Sequence, residues 1–302
     1  MLKKIEYLII ILLLISFIFL FFLRKNTNSL LDNENIAKKI EIIFMDVGQG
    51  DGILLNLNNG EKILVDCSED ARILEALGRN MDYYDKTIDY LLITHEHSDH
   101  YGGCEEVINR FEVKNVIYNG LKIETDKIWQ SFLTAVNNKN INLINIDQNQ
   151  TWNFGSSTVN FFYPEHNLNF DSKEENSNLN NTSIIFGLDF NSTTVLFTGD
   201  MEVDIENYLV SVYKDNQLKS DILKAGHHGS DTSSGQEFLN AVKPQETIVS
   251  VGKNNNFGHP SRRILKRLER INSNVWRTDF VGDIILEIGE SGYKIRTPQI
   301  NN

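Results

Sequence analysis

Hydrophobic positions fall along this chain in two distinct ways. From Ile5 to Leu23 the run IEYLIIILLLISFIFLFFL is apolar on every face and holds one charge, Glu6. Nineteen such residues suffice to cross a bilayer as a helix. A cleaved signal peptide has a shorter apolar stretch and a small-residue cleavage site, whereas this run ends in Phe, Phe, Leu and then Arg24 and Lys25, so residues 1–25 read as an uncleaved anchor. Lys3 and Lys4 balance the basic pair on the far side. The free amino group, with Asp32 and Glu34 beyond the run, therefore orients the expectation: N-terminus inside, the remainder extracytoplasmic, a single-pass protein of the cell membrane. Residues 26–39 are polar and read as a linker, and residues 40–302 as one large domain.

Beyond residue 40 the apolar runs are short and interrupted. IEIIFMDV, GILLNL and KILVD are punctuated by GQGDG and NNG, which predicts an antiparallel meander. A helix near 69–78, the strand TIDYLLIT, a helix from about Asp99, the strand VKNVIYN and an amphipathic helix near 125–137 follow. Strands return at TVNFFYP, TSIIFGLDF and TTVLFTGD, around an Asn-rich polar loop over 165–181. The helix VDIENYLVSVY, the strand DILKAG, a helix near 234–241, the strand ETIVSVG and a basic helix after Ser261 precede the closing strands NVWRTD, GDIILEIG and YKIRTP. Two halves that each run from strands into strand and helix units predict two sheets packed face to face with helices outside.

Charge changes the picture. Without residues 1–25 the chain keeps 25 basic against 40 acidic residues, which argues against a generic nucleic-acid binder. The exception is 253–277, where Arg262, Lys266 and Arg270 share one helix face at i, i+4 and i+8 while Ile264, Leu265 and Leu268 face the core. That face is either an ordinary solvated surface or a phosphate-facing patch. Cys67 and Cys104 form at most one bridge, and buried free thiols are the expected state.

Candidate chemistry gathers where apolar strands end. THEHSDH follows YLLI and spends three of the chain's 7 histidines in six positions. His95 and His97 alternate, so both imidazoles leave an extended backbone on one side, and Asp99 and His100 come from the next turn. Imidazoles and carboxylates so grouped suit Zn²⁺ or a similar transition metal. TGD delivers Asp200 at the tip of another strand, where a carboxylate is able to bridge two cations. GHHGS places His227 as a ligand, and His228 as a ligand, a supporting hydrogen-bond group or a proton donor; His259, in FGHPS, carries the same alternatives.

The HxHxDH motif, the TGD aspartate and the later histidine resemble the metallo-β-lactamase fold superfamily. FMDVGQGDGILL, THEHSDHYGG, LFTGDME, LKAGHHGS, VGKNNNFGHPS and WRTDFVGDIIL look like the extracellular hydrolase domain of the ComEC/Rec2 competence proteins, over about residues 40 to 290. The resemblance implies a four-layer αββα sandwich with two divalent ions, zinc first and manganese or iron next, at one edge. Carried over, His95, His97, Asp99, His100, Asp200 and His227 are metal ligands; Asp99, which would also orient the nucleophile, and, on the reading of the residues themselves, His228 and His259 are the candidate catalytic groups. Asp46, Gln49 and Asp51 would line a loop near the site, although each alone reads as a turn or capping residue. Two departures stand out. There is one candidate membrane span rather than a multi-helix channel, and the only histidine between HxHxDH and Asp200 is His166, in a polar loop; Asn181 and Ser183, in NNTS, would approach the site instead.

The implied activity is a membrane-anchored metallo-hydrolase that uses a metal-activated hydroxide. A phosphodiesterase or nuclease acting on DNA through Arg262, Lys266 and Arg270 leads. The alternatives are a hydrolase of small esters, lactones, lactams or phosphocholine-type diesters, and a non-catalytic module that assists DNA uptake.

Overall fold

The computed structural model describes residue 16 and residues 39–121, 126–165, 178–214 and 216–298. The chain separates into two units, residues 1–39 and 40–302, and the fold that follows is that of the second. Apart from Ser16, the expected anchor lies outside the described residues, as do His166 and nearly all of the linker. No helix among the described residues is long and apolar enough to cross a membrane.

The chain enters through β1 (Ile40–Phe44), β2 (Ile53–Asn56) and β3 (Lys62–Val65), the antiparallel meander expected from its turn residues. Parallel additions follow: β4 (Thr87–Leu92), β5 (Glu112–Tyr118) and β6 (Asn142–Asn145). A second sheet takes β7 (Gln150–Phe154), β8 (Ser157–Tyr163), β9 (Ile185–Phe190), β10 (Thr193–Phe197), β11 (Ile222–Lys224), β12 (Glu246–Val249) and β13 (Asn274–Arg277). Finally β14 (Ile284–Gly289) and β15 (Gly292–Arg296) return to the first sheet beside β1. The orders are β15-β14-β1-β2-β3-β4-β5-β6 and β13-β12-β11-β10-β9-β8-β7.

Alternation along the strands builds three apolar layers. Phe44, Ile53, Val65 and Leu286 of the first sheet meet Phe161, Phe186, Phe197 and Ile222 of the second in a shared core. On its other face the first sheet offers Leu54, Leu64, Leu91 and Val116 to the helices Arg72–Asn80, Cys104–Arg110 and Lys127–Asn138. Likewise Leu196 and Leu223 of the second sheet pack under Val203–Val212, Gln236–Val242 and Arg262–Arg270. The result is the two-sheet α/β sandwich, helices outermost, that the alternation of segments predicts.

Cys67 and Cys104 correct one expectation: they form a disulfide rather than standing as free thiols. Their backbones are brought together by the site itself, because the Cys67 amide donates to the His100 carbonyl at 2.6 Å.

Strand direction decides where the chemistry collects. β3, β4 and β5 run parallel in one sheet, and β10, β11 and β12 in the other. Each set therefore releases its carboxyl-terminal loops along one edge, the usual place for a ligand site in such sheets.

Candidate metal centre

His95 leaves the end of β4 and is fully buried, with Nδ1 3.1 Å from Thr94 Oγ1 and 3.4 Å from Ser183 Oγ. Its Nε2 lies 3.1 Å from Nδ1 of the half-buried His97. The next turn, Ser98–Tyr101, brings in Asp99 and the buried His100. His100 Nδ1 meets Asp66 Oδ2 at 2.8 Å, and Asp66 also accepts from Thr94 N and Oγ1, both at 2.8 Å. A carboxylate that holds one imidazole nitrogen leaves the other, here His100 Nε2, free for a ligand; it stands 3.3 Å from Asp200 Oδ2.

Asp200 arrives from β10 through Gly199, whose φ of +49° turns the chain tightly enough for the Asp200 amide to donate to Ser183 Oγ at 3.0 Å. From β11 comes the pair His227 and His228, both in the left-handed region at φ 46° and 50°. Consecutive non-glycine residues in that region cost of order 1–2 kcal/mol each and persist where the surroundings fix them. Here the surroundings do so. His228 Nδ1 is set against the Ser250 carbonyl at 3.0 Å, and its Nε2 lies 3.3 Å from both Asp99 Oδ2 and Asp200 Oδ2. His227 turns Nδ1 to Glu202 Oε1 and Thr232 Oγ1, each at 3.3 Å, and holds Nε2 3.9 Å from Asp200 Oδ2.

Two buried residues that the sequence reading did not single out complete the cluster. Lys224, the last residue of β11, pairs with Asp51, donates to the Gly199 carbonyl at 3.1 Å and lies 3.7 Å from Asp200 Oδ1. Asp66, after β3, secures His100. From the loop after β1, Asp51 enters the cluster and Gln49 Nε2 donates to Asp99 Oδ2 at 3.3 Å, while Asp46 stays in its turn and accepts from Gly48 N. Gly50 makes this approach possible, since a Cβ there would lie 1.8 Å from the Asp99 carbonyl oxygen.

Of the NNTS residues, Ser183 reaches His95, whereas Asn181 accepts from the Glu202 amide and Asn180 is the one near His227. His259 is half-buried, its ring centroid 5.7 Å from that of His227.

Four carboxylates, Asp51, Asp66, Asp99 and Asp200, thus surround His100 and His228, and one buried ammonium, Lys224, sits against Asp51 and Asp200. Burial disfavours charge on His100 and His228, yet Asp200 with Asp66 holds His100, and Asp200 with Asp51 holds His228, well above the usual histidine range. Burial pushes Asp51 up, but the Lys224 ammonium and His228 bring it to about 2. His95, buried and beside His100, is pushed well down and keeps a neutral lone pair, the ligand form of imidazole. A field that draws protons onto two imidazoles also draws cations. Buried Asp51 Oδ1, Asp200 Oδ1, His100 Nε2 and His228 Nε2 all lack a hydrogen-bond partner, and such atoms converge where an ion fits. Ligand atoms of His95, His100 and Asp200, of Asp99, His100 and His228, and of Asp51, Asp200 and His228 fall in groups whose members all lie within 4.8 Å of one another. This donor set suits divalent cations.

A buried His and Asp cluster at one edge of a two-sheet α/β sandwich is the plan of a metallo-hydrolase. The profile of the metallo-beta-lactamase superfamily matches residues 45–253, and the chain belongs to that superfamily. Among curated proteins it is 30% identical over 200 residues to ComE operon protein 3 of Bacillus subtilis, covering 66% of this chain and 24% of that one. It is 26% identical over 254 residues to competence protein ComA of Neisseria gonorrhoeae, covering 84% and 33%. The chain thus spans a quarter to a third of the length of these relatives. The crystal structure of CmlA, a diiron beta-hydroxylase from Streptomyces venezuelae, shares the fold at a TM-score of 0.52 and 14% identity, over 86% of this chain and 54% of that one.

Proposed function

We propose that this chain is a metal-dependent phosphodiesterase that acts on DNA, held at the cell membrane by residues 1–25 with its hydrolase domain extracytoplasmic. The observation that carries the reading is the convergence of His95, Asp99, His100, Asp200 and His228 around unpartnered, buried ligand atoms. His95, His97, Asp99, His100 and Asp200 would hold two divalent ions, with His228 or His227 completing the set. Zn²⁺ is the leading candidate, and Mn²⁺ or Fe²⁺ fits the same ligands. Ions held there supply Lewis acidity and bring the pKa of water to about 7.

The chain's own groups do the rest. Asp99, aimed by Gln49, orients the attacking water and accepts its proton. Lys224 keeps Asp51 and Asp200 ionised and in place. His259, at the edge of the cluster and kept largely neutral by burial and by His227 and His228 beside it, would hydrogen-bond the leaving oxygen through its ring N–H. The competence relatives favour DNA among phosphodiesters, and Arg262, Lys266 and Arg270 are exposed on the helix that begins three residues beyond His259.

The test uses the full chain with Zn²⁺ or Mn²⁺, single-stranded DNA beside bis(p-nitrophenyl) phosphate, and Asp99→Asn as control. Cleavage of DNA that falls by about 10²–10⁴-fold in the control, with circular dichroism unchanged, is the expected result. Hydrolysis of the small diester without DNA cleavage would move the substrate to small esters.

A further inference from the structure

The loop between β12 and the helix Arg262–Arg270 carries a feature that neither the metal ligands nor the basic helix explains. Phe257 is 68% exposed, and its ring stacks on His259 with centroids 5.8 Å apart and planes within 14°. His259 in turn stands 5.7 Å from His227, so a line of rings runs from the buried cluster out to solvent. Other exposed aromatic rings are accounted for: Tyr83 and Tyr84 pack edge to face on each other, and Phe280 lies under the Arg277 guanidinium.

The loop is built to hold this pose. Asn255 Nδ2 donates to the carbonyls of Gly252 and His259, both at 3.0 Å, and its Oδ1 accepts from the His259 amide at 3.0 Å. One side chain thus closes the loop on itself and fixes where His259, and with it Phe257, is presented. On the other side of the same loop Lys253 lines a cleft of 240 Å³ with Gln49, Asn254, Asp46 and Arg72, the last already paired with Asp70 at 2.9 Å, and Gln49 is the residue that touches Asp99. A cation-bearing cleft and an exposed ring therefore flank the cluster from one preordered segment.

From this geometry we infer that Phe257 on His259 is a nucleobase-stacking subsite, which takes an unpaired base of the nucleotide next to the scissile phosphate while Lys253 receives the neighbouring phosphate. The inference rests on the phosphodiesterase reading and narrows it to single strands, because a base within a duplex presents no free face. Stacking on an aromatic ring suits every base, so the subsite selects strandedness rather than sequence.

The test compares the metal-loaded full chain on a single-stranded DNA oligomer and on a tetrahydrofuran abasic oligomer of equal length. The wild-type chain should show a KM for DNA about tenfold below that for the abasic oligomer. Phe257→Ala should collapse this ratio to near one, the loss falling on KM rather than kcat, and Phe257→Trp should restore it. Equal KM values for both oligomers with the wild-type chain, or a ratio that survives Phe257→Ala, would overturn the subsite and leave the nuclease reading standing. No cleavage of either oligomer, with bis(p-nitrophenyl) phosphate still hydrolysed, would remove the nuclease reading and the subsite with it.

Discussion

Asp66 touches none of the reacting groups directly, yet it holds His100 by Nδ1 and is itself held twice by Thr94. Loss of such a support costs metal sites about 10–100-fold in affinity. Asp66→Asn should therefore weaken zinc binding by that factor in a chelator competition while the secondary structure persists. The sequence made the ligand positions legible because strand ends followed by His, Asp and Gly break the apolar pattern visibly. It hid Asp66 and Lys224, since one reads as the close of the strand KILVD and the other as an ordinary lysine of DILKAG. Only the packing of two sheets places that lysine, 1% exposed, between Asp51 and Asp200. Which of two adjacent histidines turns inward was equally beyond spacing, because their left-handed backbone overrides the alternation of an extended chain.

At the scale of elements, apolar runs announced the central strands, and the two strands that escaped notice are edges. β6 (NLIN) and β7 (QTWNF) each end a sheet; β6 has no buried position, and β7 alternates over only five residues, with Trp152 and Phe154 its only apolar ones. The disulfide escaped for another reason: a separation of 37 residues becomes a bridge only once the Asp66 loop lies against the His100 turn. Closing a loop of that length stabilises a fold by about 4 kcal/mol through the unfolded chain. The double variant Cys67→Ala, Cys104→Ala should lose a similar amount in urea denaturation. The basic helix follows its pattern in all but one position: Ile264 and Leu268 are buried and Arg262, Lys266 and Arg270 exposed, but Leu265 is only partly buried. If those three cations meet phosphates of a single strand, log KM should change with log salt by about 2. Reversal of all three to Glu should abolish that dependence and spare the small diester.

For the molecule as a whole, net charge of −12 keeps any nucleic-acid contact local. Stability carries its own pH signature. Burial pushes Glu206 up to about 7, against the Gly235 and Ser234 amides that it accepts from and the nearby Arg267. The folded carboxyl keeps its proton where the unfolded one, at an ordinary 4.5, has released it. Its contribution is therefore complete below pH 4.5 and is lost as pH rises through 7. Unfolding midpoints measured across that window should fall with pH, and Glu206→Ala should flatten the slope. The bridge has a consequence in time as well. Cys67 follows β3 and Cys104 opens the helix Cys104–Arg110, both in the half of the first sheet, whereas Asp200, His227 and His228 come from the second. The covalent tie can close while half of the ion site does not yet exist, so the bridge does not wait on the ion site. Oxidative refolding followed by thiol trapping should record the bridge, and omission of Zn²⁺ should leave the rate of its formation unchanged.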